Sequence, residues 1–245
     1  MHIIEYSDDR ASRHLYHTGA YTALLFIIYS VVTILIFALV KGGYPKTAAD
    51  CFAMFRENRF IALLRLDIVS VVVLPFYYLL FFSIYQAIKM KYELLARIAL
   101  FCTLIGMTIF ICGINIASIV TLSEKYNAAT SPDYRKQLLA ACEALLAQNM
   151  WENTSAIASG ILTEAGMILF SVIMLRTSVF NRVTSWLSIM THCFDFSSNL
   201  LGVFCPFFKE FFTMVAGPLY IIWFFLIGVQ LFQLGKDNGD PTKVH

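Results

Sequence analysis

Residues 19–40 read GAYTALLFIIYSVVTILIFALV, an unbroken apolar run without a charged residue. A helix needs about 20 predominantly apolar residues to cross the hydrocarbon core of a bilayer, and this stretch is long enough. Lys41-Gly42-Gly43-Tyr44-Pro45 ends it with a charge, two glycines and a proline. The first eighteen residues, MHIIEYSDDRASRHLYHT, are mixed and polar. The run after them exceeds a signal h-region and lacks a small-residue cleavage site, so it reads as a permanent first span. The whole chain shares this bias. Of its 245 residues 59% are hydrophobic and 14% charged, against about 25% charged in soluble domains. Mean hydropathy is +0.71. Too few polar groups exist to cover a water-soluble globule, and disorder and a nucleic-acid-binding surface are excluded with it. A net charge of +2 points to no acidic partner.

Five further runs have the same character, so the expected architecture is all-α: a polytopic membrane protein with six transmembrane helices and two peripheral amphipathic helices. The spans fall at about 19–40, 63–88, 95–122, 154–175, 183–205 and 211–234, in a single membrane domain covering 1–245. Pro75 predicts a kink in the second span, because proline removes a helix hydrogen bond. Span three carries a small-residue stripe, Ala99, Cys102, Gly106, Gly113 and Ala117, of the kind that lets helices approach closely in lipid. Span five, with WLSIMTHCFDFSSNLLGVFC, is the least hydrophobic and is not expected to face lipid all round. Span six is expected to be interrupted at Gly217-Pro218, and residues 235–245 read as a disordered tail.

The two amphipathic segments are 47–59 and 131–150. Thr47 with Asp50 three residues on resembles a capping box. Ser131, Pro132 and Asp133 suit the N-cap and first turn of the second helix. Placing the N-terminus inside puts nine Lys and Arg in the short inner segments against five in the short outer ones. That bias favours cytoplasmic termini.

The third loop and the two spans after it carry a family resemblance. LSEKYNAATSPDYRKQLLAACEALLAQN, then AGMILFSVIMLRTSVFNRVTSWLSI, resembles a family of bacterial multi-spanning proteins known as domain of unknown function 4386. The first half adds an FR.N segment leading into LRLDIVSVVV, then LARIALFCTLIGMTIFI. The likeness covers roughly Ala48 to Ile189, and Cys142 stands where the family pattern has Gly. The resemblance implies a six-span protein of the bacterial inner (plasma) membrane, and implies no reaction.

Ionisable groups inside a membrane are costly, and each is a functional-site hypothesis. The candidate ligand-binding residues are Arg65, Asp67, Asn115, Glu164, His192, Asp195 and Asn199. By position in the spans, Glu164 and Asp195 fall near the midplane. The others spread from there toward the outer face, except His192, which is slightly deeper. His192, Asp195 and Asn199, at i, i+3 and i+7, share one helix face. They imply a polar cavity open to the outer side, with Asp195 and Glu164 as ligand or proton groups and Arg65 as counter-charge. The same residues also fit an interhelical hydrogen-bond network that sets register, worth about 0.6 kcal/mol per pair.

Several chemistries lack their residues. No Lys lies in a span for a Schiff base, and a single span histidine does not make a paired haem site. No G-x-S-x-G elbow, Walker A loop or H-E-x-x-H occurs. Glu164, His192 and Asp195 lack metal-ligand spacing. No catalytic residue, metal or cofactor is therefore expected. Cys51 and Cys142 both fall on the expected outer side, where a disulfide between the two loops is one reading and two free thiols another. The 22 Phe read as packing and lipid-facing surface, or as an acyl-chain groove along span six. The leading function is binding or moving a lipid or small apolar molecule. A structural subunit for a membrane-protein partner or homo-oligomer comes next, and an intramembrane acid–base or metal-assisted enzyme last.

Overall fold

The computed structural model describes residues 2–40, 43–148 and 153–237, with side chains described for 10–40, 43–148 and 153–236. The described residues form helices and no strand. In chain order they are α1 (His2–Leu39), α2 (Ala48–Glu57), α3 (Arg59–Arg65), α4 (Ile68–Val73), α5 (Tyr77–Ile88), α6 (Glu93–Cys112), α7 (Ile116–Ala128), α8 (Pro132–Ala147), α9 (Thr154–Thr177), α10 (Arg182–Leu201) and α11 (Pro206–Asp237). Five stretches are long and apolar enough to cross a membrane: Arg10–Leu39, Ile68–Ile88, Glu93–Ala128, Thr154–Thr177 and Pro206–Lys236. The chain is thus an all-α, multi-pass membrane protein.

α10 has the length, 20 residues, but is too polar for that class on composition. Its packing explains the composition. Thr184, Ser185, Ser188, Thr191, His192 and Ser198 are buried, whereas Val183, Trp186, Met190, Leu200 and Leu201 are exposed. The helix is inside-out, with its polar face turned to α9 and α11, between which it lies. A polar inner face with an apolar outer one is what lipid surroundings demand.

α6 packs along α9, α1 along α11, and α1 against α5. The main core gathers Phe26, Phe81, Ile84, Phe170, Trp223 and Ile227 from these helices. Small residues set the α6–α9 distance. A Cβ at Gly106 would meet the Ser159 carbonyl at 2.8 Å and the Thr163 hydroxyl closer still, and one at Gly166 would meet the Ala99 carbonyl at 2.7 Å. The small-residue stripe works as expected at Ala99, Cys102 and Gly106, and Gly166 completes it from the facing helix. Gly113 instead closes α6.

A second, smaller core caps one end of the bundle. It joins Cys51, Phe52 and Met54 of α2 to Ala62, Leu66, Ile116, Ile119, Cys142 and Leu146. The Thr47 hydroxyl accepts from the Asp50 amide at 3.1 Å, starting α2. Ser131 occupies the N-cap of α8, ahead of Pro132, but its side chain makes no capping bond.

The helices depart from the expected spans at four places. α1 begins at His2 rather than Gly19. The second span is broken: Asp67 takes a left-handed conformation, φ 56°, between α3 and α4, and Leu74–Phe76 form a 3₁₀ turn at Pro75. The third is broken at Gly113–Asn115, where the Asn115 amide donates to the Leu145 carbonyl at 3.1 Å and ties the chain to α8. α6 alone, 20 residues or about 30 Å, is long enough to cross the hydrocarbon. α11, by contrast, runs through Pro218 as one 32-residue helix, held on its two sides by α1 and α10. Of the expected tail, Gly235–Asp237 continue α11. Residues 238–245, like Lys41, Gly42 and Trp151, lie outside the described residues.

Candidate functional site

Midway along the bundle, α9 supplies Glu164, α10 supplies His192 and Asp195, and α11 supplies Tyr220 and Trp223. His192 Nδ1 and Glu164 Oε2 are 2.6 Å apart, with both side chains buried, at 3% and 7% exposure. The Tyr220 hydroxyl donates to Asp195 Oδ2 at 2.9 Å and lies 3.5 Å from His192 Nδ1. The imidazole stands edge-on to Tyr220 and Trp223, with ring centres 5.4 and 4.8 Å away. Asp195 is only half-buried. One turn on, the Asn199 amide donates to the Asp195 carbonyl at 2.9 Å and packs on Gly160 of α9, where a Cβ would collide with it.

The structure therefore brings Glu164, His192, Asp195 and Asn199 together and leaves the other three candidates elsewhere. The Arg65 guanidinium donates to the Gly43 carbonyl at 2.6 Å. Asp67 accepts from the Tyr29 hydroxyl of α1 at 2.7 Å, and Asn115 docks α8 as described. Burial pushes the Asp67 carboxyl above its ordinary range, and the Tyr29 bond offsets part of that. Tyr220, Trp223 and Tyr29 escape sequence reading, since aromatic residues in apolar runs look like packing. A tyrosine on one helix carries no spacing signal that links it to a carboxylate on another.

Polar contacts continue along α10 on either side of the cluster. The Ser188 and Ser171 hydroxyls are 2.6 Å apart. Gln230 of α11 bonds the Thr184 hydroxyl and accepts from the Asn181 amide at 2.8 Å. At the other end the Ser198 and Thr213 hydroxyls are 2.8 Å apart. Among the described residues no three His, Cys, Asp or Glu side chains gather as a metal-ligand group.

Two surface grooves lie apart from this cluster. The larger, about 470 Å³, runs between α3–α4 and α6–α7. Leu63, Ile68, Val71, Ile111 and Val120 wall it, and Arg59 and Glu124 stand at its polar end, joined at 2.8 Å. Ile68, Ile114 and Ile116 flank the two helix breaks, so both breaks open onto it. The second, about 380 Å³, separates α1 from α11 and is lined by Leu24, Phe224, Phe225, Phe232 and Lys236. It runs along the last span. The polar cluster is enclosed by helices, and the openings are apolar.

In the cap, Cys51 and Cys142 are free, fully buried thiols. They face each other, and contact with Cys142 together with burial holds the Cys51 thiol well above its ordinary range. Burial likewise raises the neighbouring Tyr44 phenol to about 12.

No curated protein and no solved structure matches the chain. One family model does, that of a domain of unknown function, and it extends over residues 21–234. That span takes in α2–α10 whole, with the polar cluster and the groove beside α3–α4, half of α1 and most of α11, so the chain belongs to the domain of unknown function family DUF4386.

Proposed function

We propose that this protein binds a lipid or similarly built amphiphile in the groove between α3–α4 and α6–α7. The carrying observation is that two broken helices open onto one groove, apolar along its length and ending at the Arg59–Glu124 pair. Interrupted membrane helices mark binding sites in many transporters, because they free backbone groups and change wall direction. The groove volume falls within the usual range for ligand sites, about 300–1,000 Å³. Val71 and Ile111 suit an acyl chain, and the ion pair suits a headgroup near the membrane surface.

α10 is the sixth crossing in this reading, since its exposed face is apolar and its buried face polar. Six crossings put both termini on one side, and the excess of Lys and Arg there makes it the cytoplasmic side of a bacterial plasma membrane. The groove then faces outward. A single membrane domain holds all of it, with no chemical step assigned.

The test is mass spectrometry of amphiphiles that co-purify with the full chain in mild detergent. Val71→Trp and Ala117→Trp fill the groove from exposed positions and are expected to release the bound molecule without changing helix content. Leu24→Trp, in the other groove, is expected to keep it. Wild-type protein that carries no more amphiphile than Val71→Trp would sink the reading.

A further inference from the structure

We propose that Glu164, His192, Asp195 and Tyr220 form a mid-membrane proton-binding site that exchanges its proton through Asp195. This site is separate from the groove and stands whether or not an amphiphile binds there.

The imidazole fixes where the protons lie. His192 Nδ1 is engaged by Glu164, while Nε2 is buried without a protein partner. A charged imidazolium would bury a second N–H with no acceptor, which is far costlier than an unpartnered lone pair. His192 is therefore neutral, with its proton on Nδ1 pointing at Glu164. The hydroxyl proton of Tyr220 points at Asp195. Two carboxyl groups thus share one enclosed site, with the imidazole N–H directed at Glu164 and the phenol O–H at Asp195, close to Glu164 as well.

Among the described residues, few charged or titratable groups surround them. Tyr77 of α5 lies within electrostatic reach of both carboxyls, Cys193 of α10 within reach of Glu164, and Tyr220 of α11 within reach of both. No Lys or Arg is among the groups acting on Glu164, His192 or Asp195. Without a cation, two carboxylates in one low-dielectric site repel strongly, so the pair retains at least one proton. The cluster has two accessible states that differ by one proton: neutral, with both carboxyls protonated, and singly negative. The His192 N–H and Tyr220 O–H are the donors that stabilise the negative state.

The position of Asp195 gives the exchange route. Glu164 and His192 are sealed, whereas Asp195 and its partner Tyr220 are both partly exposed, and of these two Asp195 is the carboxyl. Asn199 sits one turn on from it, and at the same level of α10, near its end, stands the Ser198–Thr213 hydroxyl pair. These polar groups lead from the cluster toward the end of the bundle that carries α2 and α8. Proton relays inside membranes are built from acidic and histidine residues of this kind.

The experiment is infrared difference spectroscopy of the full chain in liposomes, stepped between pH about 5 and about 9. Wild-type protein is expected to show a reversible carboxylic-acid C=O band across the step. Asp195→Asn is expected to remove a component of that band that Asp67→Asn leaves in place. Tyr220→Phe, which keeps the ring and removes one donor to the charged state, is expected to move the midpoint toward higher pH. The absence of any pH-dependent carboxylic-acid band in wild-type protein would overturn the proposal, whether or not the variants fold. So would an unchanged band in folded Asp195→Asn.

Discussion

His192 and Glu164, on adjacent helices and 28 residues apart in sequence, meet at 2.6 Å inside the bundle. Removing one takes away the shortest polar contact of the other and leaves Tyr220 as the nearest remaining polar neighbour. Glu164→Leu alone is expected to cost about 3 kcal/mol, because a buried polar group loses its mate. The double variant Glu164→Leu/His192→Leu is expected to recover part of that loss. Unfolding of the four proteins in one detergent measures the cycle. A double variant as unstable as the sum of the singles would mean that the pair is not coupled.

Gly166 lies against the backbone of α6, with the Ala99 carbonyl 2.7 Å from where a Cβ would sit. Backbone cannot move aside as a flexible side chain does. Gly166→Ala is expected to push α6 from α9 and destabilise by about 1–3 kcal/mol. Gly217→Ala, where a Cβ meets nothing, is expected to change stability little, and the paired melts decide it.

Burial raises the Asp67 carboxyl in the folded chain. A raised acid favours the folded state while protonated. Its contribution is present below the unfolded value, about 3.9, and is lost as pH rises through the folded one. Asp67→Asn stays neutral and can still accept from Tyr29. It is expected to match wild type near pH 4 and to exceed it as pH rises toward neutrality. Melting temperature against pH for both proteins reads this directly, and parallel curves would refute it.

Cys51 and Cys142 are fully buried in the cap, whereas Cys112 is exposed at the end of α6. A membrane-permeant maleimide is expected to label Cys112 quickly and the cap pair only after unfolding. Rapid labelling of Cys51 in folded protein would show that α2 does not hold its place on α8.

The fold class was legible in the sequence because lipid exposure imposes a composition that no soluble surface shares. The run at 19–40 and its counterparts sufficed for helices and for membrane. The polar residues of α10 also pointed inward from composition alone, since lipid would reject them. Helix continuity was less legible. Asp67 and Asn115 sit at helix breaks and bond partners distant in the chain, Tyr29 and the Leu145 carbonyl. Pro218, a strong local breaker, leaves α11 intact because neighbours hold both sides.

By itself, the sequence led to a helical membrane protein of six expected spans, the fifth the least hydrophobic, with a few ionisable groups inside them. Those are consequences of transfer free energy, which each segment carries locally. Only the tertiary structure decided which of those groups meet. Glu164, His192 and Asp195 converge with a tyrosine that periodicity could not single out, while Arg65 and Asn115 turn to backbone carbonyls. Convergence depends on the rotation and separation of helices far apart in sequence. Contacts such as Gly166 against Ala99 set these, and no local pattern encodes them.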